Sequence, residues 1–181
     1  MKQGLALLTS RSIDDELDIE SLEKEYQIQI PPIFRIFSAS YALQEEGLYA
    51  DRVMVGNGSE VFLNYFVYEP NPDIMFAGFN DLKFALSIME DDEIWENNGY
   101  IPIGACGFNG AILLGTKNGE EDKIILLDYD DDSSLTVIAY DIFQFVRGLQ
   151  LVLETDNIKT HQIDLKKLYK KWDETIWRIA E

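Results

Sequence analysis

The chain has 181 residues, 46% of them apolar and 12% aromatic, which is enough core material for one generous domain and too much for a disordered chain. Thirty-three acids against fifteen bases give a formal net charge of -18, a field that repels phosphate backbones and anionic membranes and attracts basic partners. Cys106 is the only cysteine, so no internal disulfide is expected, and the apolar run Leu5-Ala6-Leu7-Leu8 is too short for a signal peptide or a membrane helix, which points to the cytoplasm.

Residues 13–26 read as a helix that Asp18 can cap, because Ile19, Leu22 and Tyr26 recur at three- and four-residue spacing. Pro31-Pro32 ends that segment and opens a second short helix, since proline suits a first turn whose N–H groups lack intrahelical partners. Ile33, Phe34, Ile36 and Phe37 are its expected core face. After Gly47 the period falls to two, and residues 48–56 and 61–68 read as strands joined across Asn57-Gly58, a strong hairpin signal. Glu69-Pro70-Asn71-Pro72-Asp73 is expected to end the sheet run, because proline cannot donate to a ladder. Residues 79–95 read as a helix with Leu82, Leu86 and Met89 on one side.

Residues 100–104 predict a short strand, followed by a turn in which Gly104, Gly107 and Gly110 are expected at positive φ. Residues 111–116 and 123–129 form a second hairpin across Lys117-Asn118-Gly119-Glu120. Residues 135–139 are the expected last strand, running into a helix from 140 to about 154. A polar loop over 155–162 and an amphipathic helix over 163–180 close the chain. Helices around antiparallel strands predict an α+β fold in a single domain, 1–181. Its core spans 13–154, with N-terminal helices, a largely antiparallel sheet of about five or six strands, and a C-terminal helical extension over 155–181.

Few motifs carry chemistry. His161 is the single histidine, in a polar stretch with no second His or Cys cluster to share a metal. With no G-x-S-x-G elbow, a surface histidine is the stronger reading. Gly104, Gly107 and Gly110 are spaced G-x-x-G-x-x-G, and a strand follows where a phosphate-binding loop needs a helix. Asp128-Tyr129-Asp130-Asp131-Asp132 begins like a calcium loop, but Ser133 stands where glycine is required and Ala139 where a bidentate glutamate belongs. An acidic turn is the better reading. Glu90-Asp91-Asp92-Glu93 and Asp14-Asp15-Glu16 are either solvated faces or acidic surfaces awaiting a partner. Lys166, Lys167, Lys170 and Lys171 form one basic patch whose ordinary role is the solvent face of the last helix. A carboxylate pair for glycoside chemistry is defined by distance in space, so that reading stays open. No cofactor or metal is expected.

Two segments together resemble the SUKH superfamily, which includes the fungal Smi/Knr-type regulators of cell-wall synthesis and many bacterial immunity proteins. The first runs from Leu17 to Phe37: an acidic helix, a short apolar link, Ile30-Pro31-Pro32 and a second helix. The second runs from Tyr100-Ile101-Pro102-Ile103-Gly104, through the glycine turn and hairpin, to Tyr140-Asp141-Ile142-Phe143-Gln144-Phe145-Val146. Gln27 stands where the family has a glycine after its first helix, and Cys106-Gly107-Phe108-Asn109-Gly110 departs from the family's usual turn. The resemblance implies one α+β domain without enzymatic activity, acting as a protein-binding module that commonly neutralises a cognate toxin, often a nuclease.

The expectation is therefore a non-catalytic module whose partner is a protein, a basic toxin domain, and neither nucleic acid nor membrane. The expected contacts are Glu90, Asp91, Asp92 and Glu93, or Asp128, Asp130, Asp131 and Asp132. Regulation of envelope synthesis through protein interactions and a small carboxylate-dependent hydrolase are the alternatives.

Overall fold

The computed structural model describes residues 9–10, 17–42, 52–54, 60–89, 99–106, 110–131 and 133–153. Helix α1 (Ile19–Glu25) starts at Asp18, whose carboxylate accepts the Ser21 N–H at 3.0 Å and the Ser21 hydroxyl at 2.7 Å. The hydroxyl bond, then the N–H bond, holds Asp18 below the usual carboxylate range. Leu17 and Asp18 are not helical, so α1 begins at 19 rather than 13, because a capping side chain works only from outside the helix. At the far end Gln27 turns left-handed at φ +50°, and the Ile28 N–H donates to the Glu23 carbonyl at 3.1 Å, a Schellman closure.

Helix α2 (Pro32–Ser40) opens on the two prolines as predicted. Its buried face is Phe34, Phe37 and Ser38, one stripe at i, i+3, i+4. Ile33 and Ile36, expected in the core, lie outside that stripe and are 36% and 62% exposed. Glu23 locks the α1–α2 corner: its carboxylate accepts the Ile30 N–H at 2.9 Å and ion-pairs with Arg35 Nη1 at 2.9 Å.

Two-residue strands β1 (Thr9–Ser10) and β2 (Tyr41–Ala42) pair with each other. β3 (Arg52–Met54) pairs antiparallel with β4 (Glu60–Tyr68), and the Asn57-Gly58 turn between them lies outside the described residues. The sheet does not stop at the prolines. β5 (Asn71–Phe79) forms a further hairpin with β4, in which Tyr68 faces Asn71 but Val67 faces Met75. Residues 72–74 therefore bulge out of the ladder, and Pro72 has no hydrogen bond to supply. Helix α3 (Leu82–Met89) buries Leu82, Ala85, Leu86 and Met89; its expected extension to 95 lies outside the described residues.

β6 (Tyr100–Cys106) and β7 (Gly110–Gly115) continue the sheet. Pro102 sits inside β6 at a second bulge, where Pro102 faces Leu113 and Gly104 faces Ile112. The Pro102 and Ile103 carbonyls accept Asn80 Nδ2 and the Asn80 backbone N–H, at 2.7 and 2.8 Å. Gly104 and Gly110 are strand residues here, not turn glycines at positive φ, and Gly107 is outside the described residues. A Cβ on Gly104 would stand 2.6 Å from the Phe76 ring and 2.8 Å from the Gly78 carbonyl oxygen. Close packing explains this glycine.

β7 pairs with β8 (Ile124–Asp128). Asn118 and Gly119, at φ +64° and +80°, centre a turn closed by the Glu120 N–H on the Lys117 carbonyl at 3.1 Å, as the Asn-Gly pair predicts. The connection then makes a second turn holding Asp122, a buried carboxylate that accepts the Ile33 and Phe34 N–H groups at 3.2 and 2.9 Å. α2 has no side-chain cap at Pro31, and Asp122 supplies one from a distant loop.

β9 (Ser134–Ala139) pairs with β8 and leads to α4 (Ile142–Gly148), capped by Asp141 on the Gln144 N–H at 2.7 Å. The helix expected to reach 154 stops at Gly148, and β10 (Leu149–Leu153) follows, paired with β4. The open edge of β4 captures this segment, and the missing Cβ of Gly148 leaves room for the Tyr68 ring. The loop and helix expected beyond 154 are outside the described residues.

Among the described residues the result is an eight-stranded antiparallel sheet, larger than expected, in the order β10-β4-β5-β6-β7-β8-β9 with β3 also on β4. The fold is α+β, as predicted, and strands within the expected ranges 48–56, 61–68, 111–116 and 123–129 share this one sheet. The sheet is strongly curved. Laid flat, its six steps would separate β9 from β10 by about 29 Å, whereas the seven-residue α4 that links them rises only about 10 Å. Tyr68 on β4 duly reaches the Ile138 carbonyl on β9, at 2.8 Å. Inside the curve, rings from both sheet and helices pack together: Phe76 lies 4.7 Å from Phe79 and 5.3 Å from Phe145, and Phe37 5.5 Å from Phe143. Among the described residues no helix is long and apolar enough to cross a membrane.

Candidate functional site

The bulge at 72–74 and the ends of β6, β7 and β8 meet around a concave site of about 500 Å³. Its apolar floor includes Met75, Cys106 and Leu126; its rim carries Asp73, Asp128 and Asp130. The register explains the gathering. Gly110 opens β7 directly opposite Asp128, the last residue of β8, and Cys106 closes β6 opposite Phe76 of β5.

The rim is locally ordered. Asp128 accepts the Asp130 N–H at 2.9 Å, an Asx turn that fixes the start of the β8–β9 connection. Farther along, Ser133 is left-handed at φ +57° and the Ser134 N–H donates to the Asp131 carbonyl at 2.8 Å. On the other side of the site, Asn71 Oδ1 accepts the Asp73 N–H at 3.3 Å. Among the described residues no three His, Cys, Asp or Glu side chains come together as a metal site.

Cys106 is a poor nucleophile in this setting. Burial, and secondarily the negative charge of Asp128, push its thiol up to about 12. At neutral pH it is a protonated, weakly polar part of the floor.

Of the residues expected at a binding surface, Asp128 and Asp130 line this site and Asp131 sits beside it in the exposed turn. Asp132, Glu90, Asp91, Asp92 and Glu93 lie outside the described residues. Asn71 and Asp73 were not anticipated, because Pro70 and Pro72 read as the end of a sheet; two prolines on opposite sides of one residue after a strand were the available sign of a bulged hairpin. Asp122, acidic and next to two turn signals, carries nothing in its own segment that reveals a helix cap. Elsewhere, Arg35 is engaged internally with Glu23, and Lys123 with Glu120 at 3.2 Å.

Comparison with family models, with curated proteins and with solved structures gives no match for this chain.

Proposed function

We propose that the chain is a non-catalytic protein-binding module, an immunity protein that neutralises a cognate toxin with a basic contact face, such as a nuclease. The observation that carries this reading is the convergence of Asp73, Asp128 and Asp130, from two hairpins distant in sequence, on the rim of one concave, apolar-floored site. Such a site suits a lysine or arginine of a partner: the rim carboxylates meet its charge, and the floor takes its aliphatic stem. The net charge of -18 supports the same reading, since it raises the encounter rate with a cationic surface. So does the SUKH resemblance, in which Gln27, left-handed here, stands where the family has glycine.

The test is pull-down from the native host, followed by kinetics with the purified partner. The expected result is a protein whose toxic activity the chain suppresses and whose association slows with added salt. Asp128→Lys together with Asp130→Lys slows association about tenfold and flattens the salt dependence, with dissociation little changed. If no protein partner is recovered and a small molecule is turned over instead, the binding reading fails and the hydrolase alternative takes its place.

A further inference from the structure

Among the described residues β9 is an edge strand without the usual protection. Among the described residues it pairs on one side only, with β8, and is the last strand in the sheet order. Natural edges are blunted by lysine, proline or bulges that prevent another chain from pairing. Ser134-Leu135-Thr136-Val137 has neither lysine nor proline, and its register is regular from Ser134 opposite Asp128 to Val137 opposite Ile125. The bulge comes only afterwards, at Ile138, whose carbonyl is taken by Tyr68. Leu135 and Val137 lie on one face and are each 44% exposed, with Tyr140, 73% exposed, just past the strand.

Charge selects the occupant. A second copy would bring two chains of net charge -18 together, an arrangement opposed by self-repulsion. A basic segment meets the opposite situation, because exposed Asp130 and Asp131 lie in the turn that leads into Ser134. We propose that β9 receives an extended segment of a basic protein partner as an added strand. The segment's backbone continues the ladder along Ser134–Val137, its alternate apolar side chains cover Leu135 and Val137, and its lysines or arginines stand at the end beside Asp130 and Asp131. Main-chain bonds supply affinity in this mode and alternate side chains supply selectivity. The proposal rests on the protein-binding reading above and names how the partner is held.

The experiment is selection of random decapeptides, displayed on phage, against the full chain. Enriched peptides are expected to alternate β-branched or aromatic residues with polar ones and to carry Lys or Arg at one end. Thr136→Pro and Val137→Lys are each expected to weaken the best synthetic peptide about tenfold or more, because each removes or blocks part of the added ladder. Val137→Lys changes an exposed side chain, so it remains informative if Thr136→Pro fails to fold. Backbone amides at 135–137 should also exchange more slowly with peptide bound. If basic peptides bind and respond to Asp128→Lys but not to either β9 variant, the edge-strand proposal is overturned while the protein-binding reading stands. Dimerisation abolished by Val137→Lys overturns it in favour of a second copy as occupant. Absence of binding by any basic peptide overturns both readings.

Discussion

Asp122 shows how much one side chain can decide. Helix α2 opens on Pro31-Pro32 with no cap of its own, and the Asp122 carboxylate takes the Ile33 and Phe34 N–H groups instead. Asp122→Ala leaves both donors without that acceptor and is expected to cost about 1–3 kcal/mol, read from urea unfolding. Gln27 is the reverse case, a side chain where glycine fits better, since an L-residue in the left-handed region is strained. Gln27→Gly is expected to stabilise by about 0.5–1 kcal/mol, after the added freedom of the unfolded chain is subtracted. Cys106 provides a chemical test. Its folded value near 12 lies above its ordinary value of 9.0, so the contribution to stability is present below the ordinary value and is lost as pH rises through about 12. Iodoacetamide at pH 8 should therefore alkylate the native chain at least about a hundredfold more slowly than the urea-unfolded chain.

At the scale of elements, irregularities do the positioning. The bulge at 72–74 lets Pro72 enter the sheet and carries Asp73 to the rim of the site. The bulge around Ile103 frees two carbonyls that Asn80 uses to tie the β5–α3 link to β6. At the α4–β10 junction, a Cβ on Gly148 would come within 2.4 Å of the Tyr68 ring. That ring cannot swing away freely, because its hydroxyl is held by Ile138. Gly148→Ala is thus expected to overpack the junction and cost about 1–3 kcal/mol, with the loss visible as a lower Tm.

The whole molecule combines a curved sheet with a large negative charge. Curvature brings β4 and β9 within hydrogen-bonding distance across the core, although four strands separate them in the sheet order. Charge works against compactness: thirty-three acids on one domain repel one another. Raising the ionic strength from near zero to physiological, where the screening length is about 8 Å, should therefore raise the Tm. A Tm that falls instead would mean that attractive pairs such as Glu23–Arg35 outweigh the repulsion.

Local chemistry alone determined a good deal of this protein. Asp18 as a cap, Pro31-Pro32 as a helix start, Asn118-Gly119 as a turn and the strands at 61–68 and 123–129 follow from preferences within a few residues. The acidic turn at 128–131 was legible for the same reason, and so was the α+β class. Tertiary structure decided what depends on a neighbour distant in sequence. Leu149–Leu153 is apolar enough for either helix or strand, and the open edge of β4 settled it. Ile33 and Ile36 fit a core stripe by periodicity, but Phe37 packs against Phe79 of β5 and Phe143 of α4, with Phe34 beside it, and this rotated the stripe away from them. Asp73 joined Asp128, and Asp122 found α2, only because a curved antiparallel sheet brings hairpin ends together, and no local preference records that distance.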